Sequence, residues 1–573
     1  MDIKLKYQIK EPFDKGLIQA RGIENSLDFI NPKSINLQSP LALDNIEDAI
    51  IKINAMKNEK TLLIVDSDCD GYCSAAILWQ YLGRIYPEWI IDIALHEAKQ
   101  HGLEDIVEKY DLADYKLVLI PDAGSNDDVY FNDYPQVNFV VLDHHLRTLT
   151  APVPNNVILV NNQMSFEYGN KSLSGAGVVW QLCRAMDQHY GKDFANDYID
   201  LTAVAIIGDV MDTTTLENRY IINKGLDSIQ NEFLRILINN ASFQLKGGTL
   251  TPMNIAFYIV PNINAMCRMG TSEEKERMWW AFIDPSHQVE SHKRGVAKGT
   301  LVDVTIESMR ECTNVKARQK REQEKMAALC DKIIIENDLL QNKILIIELD
   351  ETFDKIPTEL NGLTATKIAN ETGHPTLIGR VNKKGHLKGS IRGLQTINMP
   401  PLKEFLEASG MFNYIQGHSN AAGFNLPISK LDMFHRWANS QLAEIDLNSK
   451  TWHVDFIFNA YDEELKYAIQ SMDKLKNFWG QGFPEALIAV NDIIFSRADV
   501  QVMGKEANTV KVTSEGISYM FFKRSEEEVK HLISFSKAKL NIVGTANVNV
   551  YFNKITPQIF VNDYMIMDNL TSF

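Results

Sequence analysis

Six aspartates and two histidines fall where apolar runs end. Thr61–Val65 (TLLIV) leads into DSDCDG, which sets carboxylates at every second position: Asp66, Asp68 and Asp70. Lys116–Pro121 (KLVLIP) leads into Asp122, Val137–Leu142 (VNFVVL) into Asp143-His144-His145, and Leu201–Ile207 (LTAVAII) into Gly208-Asp209. Carboxylates gathered in one place repel and lose hydration, so a cation belongs among them. Hard oxygen donors suit Mg²⁺ or Mn²⁺. Alone, DSDCDG reads equally as a solvated acidic turn, because short Asp-rich loops are common. Four such segments in one α/β unit are a much rarer coincidence.

The elements that must position these groups are strands of an open α/β sheet, whose ligands bind outside the strands' carboxyl ends. Thr61 to about Leu226 alternates strands and helices, and Leu43–Met56 reads as an amphipathic helix feeding the first strand. Leu201–Ile207 is read as a strand, although its pattern is longer and more helical than the others. Val157–Val160 is a further strand, followed by a polar loop, Asn161–Ser174, on the ligand side. Ser174–Tyr190 reads as a helix with Gly175 and Gly177 near its start. Small residues there let a helix N-terminus approach a phosphate, or let helix and strand pack closely. Residues 227 to about 340 are helical in pattern, with Val315–Leu329 a solvent-facing connector. From Lys343 the strand pattern returns in a second α/β domain (KILIIEL, PTLIGRV, KGSIRG). Residues 450–573 alternate over short strands, as in a small β-barrel. Residues 1 to about 45 give no clear period.

A chain of 573 residues, 45% hydrophobic and 23% charged, reads as several soluble domains. It contains no apolar run long enough to span a membrane. Its start, MDIKLKYQIKEPFDKG, lacks the apolar core of a secretory signal. The six cysteines match no zinc spacing, and a reducing, cytoplasmic setting is expected. The net charge of −16 argues against a broad duplex-binding surface. Two basic groups stand out. One runs from Lys293 to Lys325 and is best read as a solvated helix face. The other is Arg380, Lys383, Lys384, Lys388 and Arg392, which could track a phosphate backbone.

DSDCDG, PDAGS, LDHH and IGDVMD, in that order, resemble the four motifs of the DHH phosphoesterase family, and within it the RecJ-like single-strand-specific exonucleases. SGAGVVWQL, ENRYIINKGL and NINAMCRMG resemble linking segments of that core. GSIR and GHSNAAG resemble a DHHA1-type domain, and FWGQGFPEA a divergent form of the turn before an oligonucleotide-binding region. The resemblance implies four parts: a parallel-sheet DHH domain with an N-terminal extension (1–230), a helical connector (231–342), a DHHA1-type substrate-binding domain (343–447) and an OB-like single-strand-binding barrel (448–573).

It further implies two divalent ions, Mn²⁺ or Mg²⁺, held by Asp68, Asp70, Asp122, His144 and Asp209, with Asp122 bridging. Asp66 is equally a ligand or a support for the ligands. His145 would donate to the scissile phosphate and Asp143 would orient its neighbours. Arg268, Ser390 and Arg392 would take a terminal 5′-phosphate, and His418 with Gly417 a substrate phosphate. The implied activity is two-metal hydrolysis of single-stranded DNA from 5′ to 3′, giving 5′-mononucleotides. The implied partners are single-stranded DNA and a single-strand-binding protein or helicase, with the enzyme a monomer. Two departures stand out: Ile64 occupies a place where many members have histidine, and Gln416 replaces the first of two glycines before His418. A phosphodiesterase of short oligonucleotides or cyclic dinucleotides, and an inactive scaffold of a replication assembly, are the competing functions. For strand stacking the candidates are Phe478, Trp479, Tyr519, Phe521 and Phe522, which a barrel core also claims.

Overall fold

The computed structural model describes residues 1–573 except 11, 98, 246–248, 351–352, 354–355, 396–397, 448, 552–553 and 570–573. The chain divides into two compact units: Ile23–Arg318 with Lys476–Pro484, and Met1–Gly22 with Gln319–Leu475 and Glu485–Phe573.

In the first unit, five parallel strands lie in the order Ile91–Leu95, Thr61–Val65, Leu117–Pro121, Asn138–Asp143, Val157–Asn161. Thr61–Val65 and Leu117–Pro121 are buried at every position. That is the signature of a parallel sheet covered on both faces. Leu63, Val65 and Leu119 enter one core and Leu62, Ile64 and Ile120 the other. Ile64 is thus an ordinary core residue of its strand. The chain leaves Thr61–Val65 toward one edge and returns on its other side at Leu117. The switch point therefore lies between the strand that ends at Asp66 and the strand that ends at Asp122.

The expected strand at Leu201–Ile207 is a helix, Ile199–Gly208. It packs among the helices Cys69–Ile85, Gly175–Tyr190 and Leu216–Asp227, and Leu201–Ile206 are all buried. A helix covered on every side has no polar stripe, so its sequence resembles a buried strand. The helix expected at Leu43–Met56 forms from Ile46 to Met56, and that expected at Ser174–Tyr190 runs from Gly175 to Tyr190. The connector extends to 33 residues, Val304–Glu336. Val315, Met326 and Ala327 on it are buried, so it is not solvent-facing throughout. Its basic residues do pair with acids nearby: Arg310 with Glu307, Lys320 with Glu324 and Lys325 with Glu322.

The second unit contains a five-stranded sheet, Tyr414–His418, Ala421–Pro427, His386–Arg392, Thr376–Val381, Leu345–Leu349, of which only the last pair is parallel. It also contains a mostly antiparallel seven-stranded sheet built on a long hairpin, Lys537–Tyr551 with Lys554–Asn569. The first residues, Asp2–Leu5, form a strand parallel to Thr451–Val454.

Candidate metal centre

The acidic turn after Thr61–Val65 is tight. Asp68 caps the helix Cys69–Ile85 by accepting the Gly71 amide at 3.0 Å. A Cβ at Gly71 would lie 2.5 Å from the Asp66 carbonyl oxygen, so the turn needs glycine. Asp70 sits in the first turn of the helix, buried, and takes two backbone amides from the N-terminus of Gly175–Tyr190: Gly175 at 2.7 Å and Ala176 at 2.8 Å. That helix N-terminus, read as open to a phosphate or to close packing on a strand, holds a carboxylate of the site. Gly177 packs against Leu173.

Asp122 ends its strand with φ of 66°, a left-handed conformation that aims its side chain across the sheet edge. Asp209 caps the carboxyl end of Ile199–Gly208. His144 Nε2 lies 3.3 Å from Asp122 Oδ1, 3.4 Å from Asp209 Oδ2 and 3.8 Å from Asp70 Oδ2. His144 Nε2 and Asp122 Oδ1 are buried, and neither has a hydrogen-bond partner. Asp66, Asp68 and Asp122 form a second group whose ligand atoms all lie within 4.8 Å of one another, as do those of Asp70, His144 and Asp209. An octahedral ion with ligands at about 2.1 Å spaces neighbouring donors by about 3 Å. Asp122 of one group lies 3.3 Å from His144 Nε2 of the other, and the donor set fits hard divalent cations.

The electrostatics agree. Burial, then the charges of Asp70, Asp68 and Asp66, push Asp122 well above the usual carboxylate range. Burial and the charges of Asp70 and Asp68 push Asp209 up to about 8, and burial with Asp66 and Asp70 pushes Asp68 up to about 6. Burial pulls His144 down, toward the neutral imidazole that ligates metals. A cation among these groups would bring the three carboxylates back down and keep His144 neutral.

Asp143 differs. Burial alone would raise it, but the hydrogen bond and charge of His145, then His144 and His101, hold it far below the usual range. Its Oδ1 accepts the amides of His144 at 2.7 Å and His145 at 3.1 Å, and Nδ1 of His145 at 2.8 Å. Its Oδ2 accepts the Ser125 amide at 2.9 Å. With Nδ1 committed to Asp143, His145 leaves Nε2 for another partner, and its side chain is 43% exposed.

Two neighbours escaped the sequence reading. His101 Nδ1 lies 3.0 Å from Asp66 Oδ1, and its ring centroid is 4.4 Å from that of His145. Burial opposes its charge, but Asp66 holds the imidazole up at about 10. His96, fully buried, bonds Asp105 at 2.6 Å and lies 3.8 Å from Asp66. It directly follows Ile91–Leu95, so the rule that found the other residues, a strand ending in a potential ligand, would have found it too. Asp212 accepts the Thr214 amide and hydroxyl, each at 2.7 Å.

The remaining candidates lie elsewhere. Arg268, in the last turn of Val260–Met269, has a buried Nε with no hydrogen-bond partner. In the second unit, Arg392, Ala421 and His418 are register partners across three strands, as are Ser390, Gly423 and Gln416. Register partners share a face, and Ile391, Ala422 and Phe424 on the other face enter the core. Arg392 donates to Thr366 Oγ1 at 3.1 Å. Gly417 has φ of 131°, which admits no ordinary side chain. Trp479, Tyr519 and Phe521 are core residues, whereas Phe522 is 45% exposed. A further acidic group, His292, Glu307 and Glu311, is bound by arginines: Arg277 reaches Glu311 at 2.9 Å, and Arg310 reaches Glu307.

A prediction follows from the packing at the helix start. A Cβ on Gly175 would meet the Asp122 carboxylate and approach its Cβ to 2.6 Å. Gly175→Ala must displace either Asp122 or the amides on Asp70, and Mn²⁺ affinity is expected to fall about 10–100-fold. Calorimetric titration of the metal-free protein measures it, and unchanged affinity would refute it.

Residues 60–206 match the N-terminal domain of the DHH family, and residues 461–563 match the RecJ OB domain. YorK of Bacillus subtilis (strain 168), named a candidate SPbeta prophage-derived single-strand DNA-specific exonuclease, is 33% identical over 96% of this chain and 95% of its own length. The single-stranded-DNA-specific exonuclease RecJ of Haemophilus influenzae is 23% identical over 87% of this chain and 86% of its own. The crystal structure of Thermus thermophilus RecJ in complex with Mn²⁺ superposes with a TM-score of 0.72 at 19% identity, over 97% of this chain and 76% of that one. With four ligand-bearing segments at one switch point and a relative matched along nearly its whole length, the chain belongs to the DHH family, in its RecJ branch.

Proposed function

We propose that this protein is a metal-dependent exonuclease that degrades single-stranded DNA from the 5′ end to 5′-mononucleotides. The observation that carries the reading is the pair of neighbouring ligand groups, in which His144 Nε2 faces Asp70 and Asp209 of its own group and Asp122 of the other. The relatives named single-strand DNA-specific exonucleases support the substrate class, and the RecJ structure solved with Mn²⁺ supports the metal. Asp68, Asp70, Asp122, His144 and Asp209 hold the ions, with Asp66 beside them. Two such ions supply water of lowered pKa and neutralise charge developing on the phosphoryl oxygens.

The chain's own groups do the rest. Asp143 holds the His145 ring by Nδ1, so that Nε2 can donate to a phosphate oxygen. The hydrogen bond to Asp143 raises the pKa of His145 against its burial, which favours the donating form. Arg268, Ser390, Arg392 and His418 take phosphates of the strand, and Gly417 lets the backbone approach closely. The four-part division at 1–230, 231–342, 343–447 and 448–573 follows from the same reading.

Digestion of a 5′-labelled single strand with Mn²⁺, Mg²⁺ or EDTA tests this. Labelled mononucleotide should appear first, and only with metal. A strand that binds and stays intact under every metal would refute the enzyme, and cleavage confined to very short oligomers would refute the substrate. His418→Ala is expected to raise KM about tenfold with a smaller change in kcat, because it removes a phosphate contact distant in sequence from the ligands. Steady-state kinetics on a labelled strand decide it, and a pure kcat effect would remove His418 from substrate binding.

A further inference from the structure

The turn that carries Asp209 is strained. Val210, next in the chain, has φ of 58°, is β-branched and is 59% exposed. A β-branched residue in the left-handed region is an outlier that persists only where its surroundings over-determine it. Exposure means that its own side chain does not supply that restraint. The turn closes on its helix through Val210 N to Ile207 O at 3.3 Å and Met211 N to Ile206 O at 3.1 Å. Beyond Met211 it is gripped by a segment from far along the chain.

That segment is Phe478–Phe483 (FWGQGF). Thr213 donates both its amide and its hydroxyl to the Gln481 carbonyl, each at 2.9 Å. A Cβ at Gly480 would come within 3.0 Å of Thr213, and one at Gly482, whose φ is 79°, would strike the Asp212 carboxylate. The segment is itself a closed turn, with a bridge between Gly480 and Phe483 and stacked Trp479 and Phe483 rings 5.1 Å apart. Arg219 ties the parts together. It is fully buried and donates from one nitrogen to Thr213 Oγ1 and to the Phe478 carbonyl, both at 3.0 Å. Its guanidinium lies over the Phe29 ring at 4.6 Å and the Phe478 ring at 5.5 Å. No carboxylate is within ion-pair distance of it among the described residues, and Nε and Nη1 have no hydrogen-bond partner. A buried, unpaired guanidinium is costly to keep, and here it serves as the junction of the loop and the strap.

We infer that Phe478–Phe483 is a strap that, with Arg219 as a positioning residue, holds the Asp209–Thr213 turn in its strained form and so keeps the Asp209 carboxylate facing His144. The metal centre then depends on residues nearly 270 positions away, through contacts to the Gln481 and Phe478 backbone carbonyls. This rests on the reading of Asp209 as a metal ligand.

The test is Mn²⁺ titration of the full-length, DNA-free protein by calorimetry and electron paramagnetic resonance, with thermal melting alongside. Gly482→Ala, which wedges the strap off Asp212, should weaken Mn²⁺ binding about tenfold. Thr213→Val, which removes only the hydroxyl, should do so by less. Adding Val210→Gly to either should restore affinity toward wild type, because glycine adopts the left-handed turn without the strap. Wild-type affinity in both strap variants would overturn the inference. So would a loss that Val210→Gly leaves unrestored, since that is what general destabilisation gives. Where Gly482→Ala does not fold, Thr213→Val and its double variant carry the test. Asp209→Asn separates the two readings. Wild-type affinity there would overturn the ligand role itself, whereas a loss there with intact strap variants would overturn only the strap.

Discussion

In Asp122→Asn, 5′-end digestion of a single strand in saturating Mn²⁺ falls by about 10³-fold or more, while the metal-free protein melts at a higher temperature than wild type. The first effect follows from the several kcal/mol of charge stabilisation that bound divalent ions supply, at about 1.4 kcal/mol per tenfold in rate. Asp122 belongs to one ligand group and lies 3.3 Å from His144 Nε2 of the other, so its loss touches both. The second follows from burial: Asp122 is 2% exposed and stands among Asp70, Asp68, Asp66 and Asp209, all of which oppose its ionisation. An isosteric amide removes that repulsion.

The same repulsion gives a pH dependence of definite sign. Asp68 and Asp209 have folded-state values of about 6 and about 8, above their ordinary 3.8. The folded protein therefore binds more protons than the unfolded chain between about pH 4 and 8. Stability without metal falls as pH rises through that window, by up to about 1.4 kcal/mol per pH unit per group. Mn²⁺ should abolish the slope. Melting curves from pH 5 to 8.5, with and without Mn²⁺, measure it, and a metal-free protein that gains stability across that range would contradict the account.

The centre was legible in the sequence because its residues follow apolar runs. Each of Asp66, Asp122 and Asp143 stands at the carboxyl end of a buried strand, and that regularity needs no long-range knowledge. Asp209 was found by the same rule although its element is a helix, since a helix end and a strand end can both present a carboxylate to the switch point. The supports of the site were not legible. The amides on Asp70 come from residues more than a hundred positions later, and the left-handed φ of Asp122 and Val210 has no glycine to announce it. The pairing of Asp2–Leu5 with Thr451–Val454 joins two segments with no shared pattern. The grip of Gln481 on Thr213 is made by a backbone carbonyl, which leaves no trace in side-chain type. In the seven-stranded sheet, short alternating runs were visible, but the 15- and 16-residue strands of the long hairpin were seen only in part.

Asp143→Asn is the sharper test of how the protein uses its own groups. Asp143 binds no metal in the proposed arrangement, yet it is fully buried and accepts four hydrogen bonds, three at Oδ1 and one at Oδ2. An amide has one acceptor oxygen. With that oxygen on the Oδ1 side, the NH₂ faces the Ser125 amide, donor against donor; flipped, it faces three donors at once. Leaving a buried donor unsatisfied costs about 1–3 kcal/mol, and that much is expected in denaturant unfolding at pH 7. Because the folded-state value of Asp143 is depressed, its contribution is present above the ordinary carboxylate range and lost as pH falls. The variant should therefore show a flatter acid limb than wild type. The larger effect is on turnover. Without the carboxylate, His145 loses both the bond that fixes its ring and the charge that favours its donating form. In saturating Mn²⁺ kcat should fall about 10²–10³-fold, and the pH–rate profile should lose the limb that belongs to His145. Mn²⁺ affinity should change far less than in Asp122→Asn, because no ligand atom is removed. A variant that keeps kcat within twofold would show that the Asp143–His145 pair is not used. One that loses Mn²⁺ as completely as Asp122→Asn would place Asp143 among the ligands instead.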